Sequence, residues 1–285
     1  SCICCVSSVQ AVTERRSYYG EIIRLGLPIL VGQLGMIVTG FADNIMVGHY
    51  STDALASASF VNGVFNVVIF CCLGFTYGLT PLVGALFGSG RREDIGALMR
   101  NGLALNLLYS LLLTALLGVL YFYLDRLGQP SHLLPLIRPY YLTALAGIVP
   151  VCVFNVFAQW CYGCTDTRSP MWIILACNVL NILGNYMLIF GHWGCPELGL
   201  TGAGISTLAA RVLSAAGIIA VFCLSRRAAP DRYGFRSARL NRRALSRVWK
   251  TSVPVSMQMT FESGSFSVAA IMSGWLGAVP LAAFQ

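Results

Sequence analysis

The chain alternates long uncharged apolar runs with short clusters of charge. Leu25 to Ala42 carries no charged side chain, and the apolar character continues past Asp43 to Gly48. The stretches 54–90, 101–124, 139–165 and 169–196 are wholly uncharged, 198–225 is interrupted only by Arg211, and 251–285 only by Glu262. A helix needs about 20 apolar residues to cross ~30 Å of hydrocarbon, so these seven stretches predict seven spans. All should be helical, because an open sheet leaves its edge groups unsatisfied in lipid.

Composition agrees with that pattern. Apolar residues make up 56% of the 285 positions, charged ones only 11%, and the mean hydropathy is +0.72. Soluble domains carry about 25% charged residues, and disordered chains are richer still in charge and polarity. Both classes are excluded. The net charge of +8 does not indicate a nucleic-acid partner, because nine of the 19 basic residues lie between Arg226 and Lys250, where membrane orientation explains them. Counted loop by loop, sixteen Lys and Arg fall on the side of the N-terminus and two, Arg126 and Arg138, on the other. The positive-inside rule therefore predicts a multi-pass protein of the cell (inner) membrane with a cytoplasmic N-terminus. Trp160, Trp172, Trp193 and Trp249 fall near predicted span ends, where aromatic anchors sit.

The predicted organisation is a cytoplasmic tail over 1–23, a six-span lobe over 24–225, a basic, solvated cytoplasmic loop over 226–250 and a further span over 251–285. A shift of 226 residues places Pro28 on Pro254, Ile45 on Ile271, Met46 on Met272, Gly48 on Gly274, Leu55 on Leu281 and Ala56 on Ala282. Both copies start on the same side, as in the parallel repeats of secondary transporters. The expected fold is thus an all-α membrane protein with one six-helix lobe and the first helix of a second, repeat-related lobe. Its start, with Cys2, Cys4 and Cys5 and no initiator Met, suggests a processed or truncated terminus.

Of the eleven acidic residues only Asp43 and Glu262 lie inside spans. A charge at the bilayer centre costs ~2.5–3.5 kcal/mol on insertion scales and is rarely kept without use. Glu262 is about 13 Å along its helix from Val253, hence near mid-membrane; Asp43 is nearer the external side. Either carboxyl could exchange a proton for a cation, close a helix end, or pair with a basic group such as Arg211. In the fifth span Asn178, Asn181 and Asn185 follow i, i+3, i+7 and share a face, suited to a small hard cation or to a neighbouring helix. The segment Gly202-Ala203-Gly204-Ile205-Ser206-Thr207 offers a small-residue packing face and a hydroxyl at Thr207. Gln33, Asn62, Asn66, Asn155 and Gln159 are candidates for a shared cavity, with Phe65, Phe154, Met257, Met259 and Phe261 as adaptable apolar contacts or plain packing.

No enzyme signature is present: there is no GxSxG, HExxH or P-loop. Cys161 and Cys164 form a CxxC without the βαβ context or second ligand pair that redox or zinc chemistry needs. No organic cofactor is expected, and transport driven by an ion gradient is what remains. A seven-helix receptor fits the span count, but its usual orientation is opposite, and no Lys follows Lys250 to hold a retinal.

Leu27-Pro28, the run Ala42-Asp43-Asn44-Ile45-Met46-Val47-Gly48-His49 and Ala54-Leu55-Ala56 resemble the first span of the multidrug and toxic compound extrusion (MATE) transporters. Gly88-Ser89-Gly90-Arg91-Arg92, Tyr162 to Pro170, Gly202-Ala203-Gly204, and Pro254-Val255 through Glu262-Ser263-Gly264 extend the likeness from about Glu21 onward, in the manner of the NorM-like branch. The resemblance implies two six-helix lobes in a V that export drug-like or cationic xenobiotics against Na⁺ or H⁺. It assigns cation coupling to Asp43, Asn181, Asn185, Thr207 and Glu262, with Asp43 and Glu262 as the acids able to hold Na⁺. Gln33, Asn155, Met257 and Phe261 are the expected substrate-cavity residues. Some relatives carry a second acid where this chain has Asn185. The resemblance also implies that a C-terminal lobe is missing, so the chain is expected to be a fragment. A lipid-linked oligosaccharide flippase of the same superfamily is the alternative; its cavity should carry several Arg to hold pyrophosphate.

Overall fold

The computed structural model describes residues 2–126 and 130–275, with side chains at 19–126, 130–226 and 228–265. Ten α-helices follow one another: α1 (Cys2–Tyr50), α2 (Thr52–Tyr77), α3 (Leu79–Gly88), α4 (Arg92–Phe122), α5 (Leu134–Ala146), α6 (Ile148–Gly163), α7 (Arg168–Phe190), α8 (Leu200–Leu224), α9 (Ala229–Ser237) and α10 (Arg242–Trp275). No strand occurs among the described residues. Six segments are long and apolar enough to cross a membrane, at 19–50, 52–88, 92–122, 134–163, 168–190 and 200–224. The seventh expected span is helical as far as Trp275, and residues 276–285, which carry the Leu281 and Ala282 repeat positions, lie outside the described residues.

Two of the spans are built from paired helices. The second consists of α2 and α3, joined at Gly78, and the fourth of α5 and α6, joined at Gly147. At Gly78 a side chain would overlap Ser252, and at Gly74 it would meet the Ser256 backbone, so these two positions let α10 lie flush on α2. Ser256 completes the contact by donating to the Cys71 carbonyl at 2.9 Å.

The polarity of the bundle is inverted relative to a soluble fold. On α4, Leu108, Leu112, Leu116 and Val119 form an exposed stripe at helical spacing, while Asn101, Asn106 and Ser110 are buried. The buried polar groups are satisfied within the helix: Asn106 donates to the Gly102 carbonyl at 2.8 Å, and Ser110 to that of Leu107 at 3.0 Å. An apolar stripe of this kind is stable only against acyl chains, so the chain is a multi-pass membrane protein.

The segment 226–250 departs from the solvated loop that its charge suggests. Much of it is helical, and α9 is docked against α4. Gly96 lies against the Asp231 carbonyl and Gly234 against that of Glu93, so that no Cβ would fit at either position. The one acid of the segment, Asp231, is fully buried. It accepts from Arg92 through Nε and Nη2, both at 3.2 Å, and from Trp160 Nε1 at 2.9 Å. Trp160 is therefore a core residue rather than an interfacial anchor, whereas Trp172, Trp193 and Trp249 are exposed. The same network bears on the CxxC. Burial, reinforced by the Asp231 charge, pushes the Cys164 thiol up to about 12.

Candidate cation site

Asp43 is brought to the bundle by a narrow edge of α1. Gly32, Thr39 and Val47 are buried, Gly35 and Asp43 half-buried, and together they mark one side of the helix at helical spacing. Small residues make the approach to α7 close: a side chain at Gly35 would strike Leu175, and one at Gly32 would touch Met171 and Ile174. On the far side of α7, Gly184 faces Ser206 of α8, and Gly202 of α8 faces the Leu188 carbonyl. These contacts place the amide stripe of α7 between the acid of α1 and the hydroxyls of α8.

The polar groups then interlock. Asn185 Nδ2 donates to Asp43 Oδ1 at 2.5 Å. The Asn181 amide satisfies both of its neighbours in one orientation: it donates to Asp43 Oδ1 at 3.0 Å and accepts from the Thr207 hydroxyl and backbone N–H, both at 3.2 Å. Ser206 donates to the Asn181 carbonyl at 2.8 Å, which fixes the two helices in register. Both amides address the same carboxylate oxygen, so Oδ2 has no hydrogen-bond partner among the described residues. Asn185 Oδ1 and Asn178 Nδ2 are buried and likewise unpartnered.

Asp43 opens into a chamber of about 220 Å³, lined also by Asn62, Tyr140, Thr143, Thr207 and Arg211. That volume holds several waters, each of which occupies about 30 Å³ in the liquid. Tyr140 donates to Asn62 Oδ1 at 3.3 Å. Arg211 reaches the chamber over Gly147, where a side chain would clash with its guanidinium. It makes no salt bridge with Asp43 within 4.0 Å. A carboxylate with one free oxygen, unspent amide and hydroxyl oxygens and room for water can take up a proton or a small hard cation.

The structure thus brings Asp43, Asn181, Asn185 and Thr207 together, and it separates them from the other expected residues. Glu262 is exposed on α10, which packs on α2 and α4, and it is not part of the chamber. It therefore does not join Asp43 in one ligand set. Gln33 is exposed because it lies one residue, about 100° of helix, from the buried Gly32. Asn155 turns back to donate to the Val151 carbonyl of its own helix at 2.9 Å. Met257 and Phe261 are exposed on α10. None of these four lines the Asp43 chamber. Tyr140 and Thr143, which do line it, went unnoticed in the sequence; their i, i+3 spacing on α5 was the available signal.

Gly184→Ala tests how tightly the site is built. The added methyl would overlap Ser206 Oγ and drive the hydroxyl off the Asn181 backbone carbonyl. Overpacking of this kind costs about 1–3 kcal/mol, and a lowered melting temperature in detergent is the expected result.

Residues 28–187 match the family model MatE. The chain belongs to the MatE family. Among curated MatE relatives it is 30% identical over 270 residues to the probable multidrug resistance protein NorM of Synechocystis, covering 93% of this chain and 58% of that protein. It is 28% identical over 266 residues to the multidrug resistance protein MdtK of Klebsiella pneumoniae, again covering 93% and 58%. The chain thus spans about 58% of the length of these relatives. The fold matches a mutant of the Vibrio cholerae MATE transporter VcmN with a TM-score of 0.85 at 20% identity, over 95% of this chain and 60% of that one. A MOP superfamily transporter from Pyrococcus furiosus superposes with a TM-score of 0.77 at 21% identity, over 90% and 59%. The six-span helical architecture of this chain is that of the matched part of these solved structures.

Proposed function

We propose that this chain serves secondary export of drug-like or cationic compounds, driven by Na⁺ or H⁺ taken up at Asp43. The observation that carries this reading is the pair of amide bonds from Asn181 and Asn185 to Asp43, at the wall of a chamber that Asp43 and Thr207 line. The multidrug resistance names of the MatE relatives point the same way. A cation on Asp43 changes what Asn185 and Asn181 bind, and those bonds join α1 to α7. Substrate and cation then favour different arrangements of the helices, and each displaces the other through a population shift. In this reading the residues that follow in the longer relatives supply a facing C-terminal lobe. The protein lies in the cell (inner) membrane with its N-terminus cytoplasmic, as the sixteen-to-two distribution of basic loop residues supports. The flippase alternative has less support, because Arg211 is the single arginine lining the chamber.

The test uses the natural gene product in everted vesicles, with a fluorescent cationic dye supplied outside, at the cytoplasmic face. An imposed Na⁺ or pH gradient should accelerate dye movement. Equal rates with either gradient or none would show that the reading is wrong.

A further inference from the structure

The exposed surface of the 226–250 segment carries charge of one sign only. Arg236, Arg239, Arg242, Arg243, Arg247 and Lys250 are all exposed. Asp231, the sole acid in the segment, is buried and committed to Arg92 and Trp160. No other carboxylate belongs to the segment; the exposed acids nearest to it, Glu93 and Asp94, lie at the start of α4, where Asp94 pairs with Arg91 at 2.6 Å.

Their placement on α10 adds a second observation. Arg242 and Arg243 occupy the first turn, which contains no acidic residue, although the positive end of the helix dipole disfavours cations there. Asn241 Oδ1 caps the Arg243 N–H at 3.0 Å, and an anion placed between the two arginines would be attracted by the helix terminus and by the guanidinium groups together. Arg243, Arg247 and Lys250 continue along one face at i, i+4 and i+7. Tyr233 and Leu240 of the same segment are exposed as well, and half-exposed Trp249, on another side of α10, packs edge-on against Phe75, a mixture of aromatic, apolar and basic groups found at the headgroup level. The segment starts two residues after the span that ends at Leu224. It is also held firmly, since α9 is locked to α4 by the Gly96 and Gly234 contacts.

We propose that this segment is a binding surface for the headgroups of anionic glycerophospholipids in the leaflet on its own side. Clusters of four to eight basic residues next to a span act in this way. The phosphodiester supplies the negative charge, the guanidinium groups bind it through paired N–H donors, and Leu240 rests against the acyl boundary. A polybasic stretch that served only to orient the spans would attract the leaflet's field without retaining particular lipids.

The test compares the natural gene product with its R239Q/R242Q/R243Q/R247Q variant, each in nanodiscs containing three parts phosphatidylcholine to one part phosphatidylglycerol. Lipid that co-purifies with the protein into neutral detergent is measured by native mass spectrometry. The wild type should retain phosphatidylglycerol over phosphatidylcholine at least fivefold above the nanodisc ratio, and the variant should lose most of that preference. Arg91→Gln, on the neighbouring α3–α4 turn, should leave it unchanged. The four substituted side chains are exposed, so the melting temperature in neutral detergent should match that of the wild type. Equal retention of the two lipids by the wild type, or an undiminished preference in a variant that folds, would overturn the proposal.

Discussion

Asp43→Asn in the natural gene product should lower drug export at least tenfold while leaving membrane insertion unchanged. The substitution is nearly isosteric. An amide oxygen can still accept from Asn185 and Asn181, which donate to Asp43 Oδ1 at 2.5 and 3.0 Å, so the seam between α1 and α7 survives. What disappears is the ability to carry a negative charge, and with it the binding of a proton or a metal ion. A tenfold loss corresponds to about 1.4 kcal/mol, a modest demand, since hydrogen bonds to an ionised group are roughly twice as strong as neutral ones. Dye export by vesicles under a fixed gradient is the measurement, with inserted protein quantified in the same membranes. Export at the wild-type rate would remove Asp43 from the coupling step. Glu262→Gln belongs in the same experiment, because Glu262 lies outside the Asp43 chamber. Its effect should leave cation binding at Asp43 intact.

The largest loss of stability is expected at Asp231→Ala. Asp231 is fully buried and accepts three hydrogen bonds, two from Arg92 and one from Trp160. Removing one partner of a buried ion pair costs about 3–5 kcal/mol. The lower end applies here, because the Arg92 side chain is 31% exposed and water recovers part of its solvation. Trp160 Nε1, deep in the core, would keep no acceptor. About 3 kcal/mol corresponds to a fall of roughly 6–12 °C in melting temperature at this chain length. Asp231→Asn keeps an acceptor for Trp160 and should fall roughly midway. Amide exchange over 229–237 gives a second readout and should rise in the alanine variant, because α9 loses its polar attachment. Unchanged melting and unchanged exchange would mean that the glycine contacts alone hold α9.

The features that the sequence makes legible are those in which a single residue type has one physical outlet. Uncharged runs of span length have to be helices in lipid, and six of them are. Asp43, an acid within such a run, finds polar company. The three-residue stripe of side-chain amides at helical spacing is the one it meets, through Asn181 and Asn185. What stays hidden is helix phase. When nearly every position is apolar, lipid-facing and core-facing sides look alike in sequence, so Gln33 reads as a cavity residue although its neighbour Gly32 is the one that packs. Asp231 is concealed for the opposite reason. It sits among nine basic residues whose charge suggests solvent, and only the Gly96 and Gly234 contacts reveal that this part of the segment is docked. The α10 positions depend on how that helix meets α2, a contact set by Gly74 and Gly78, which precede the Ser256 and Ser252 they meet by 182 and 174 residues.

Every wall of the Asp43 chamber is drawn from residues between Gly40 and Arg211. With Asp43 as the proposed coupling site, loading the ion would be a self-contained operation that asks nothing of α9 or α10. Affinity would then be open to tuning by mutation within the first six spans without touching whatever carries cargo across. Capture and conveyance would, in that proposal, be two separately adjustable properties.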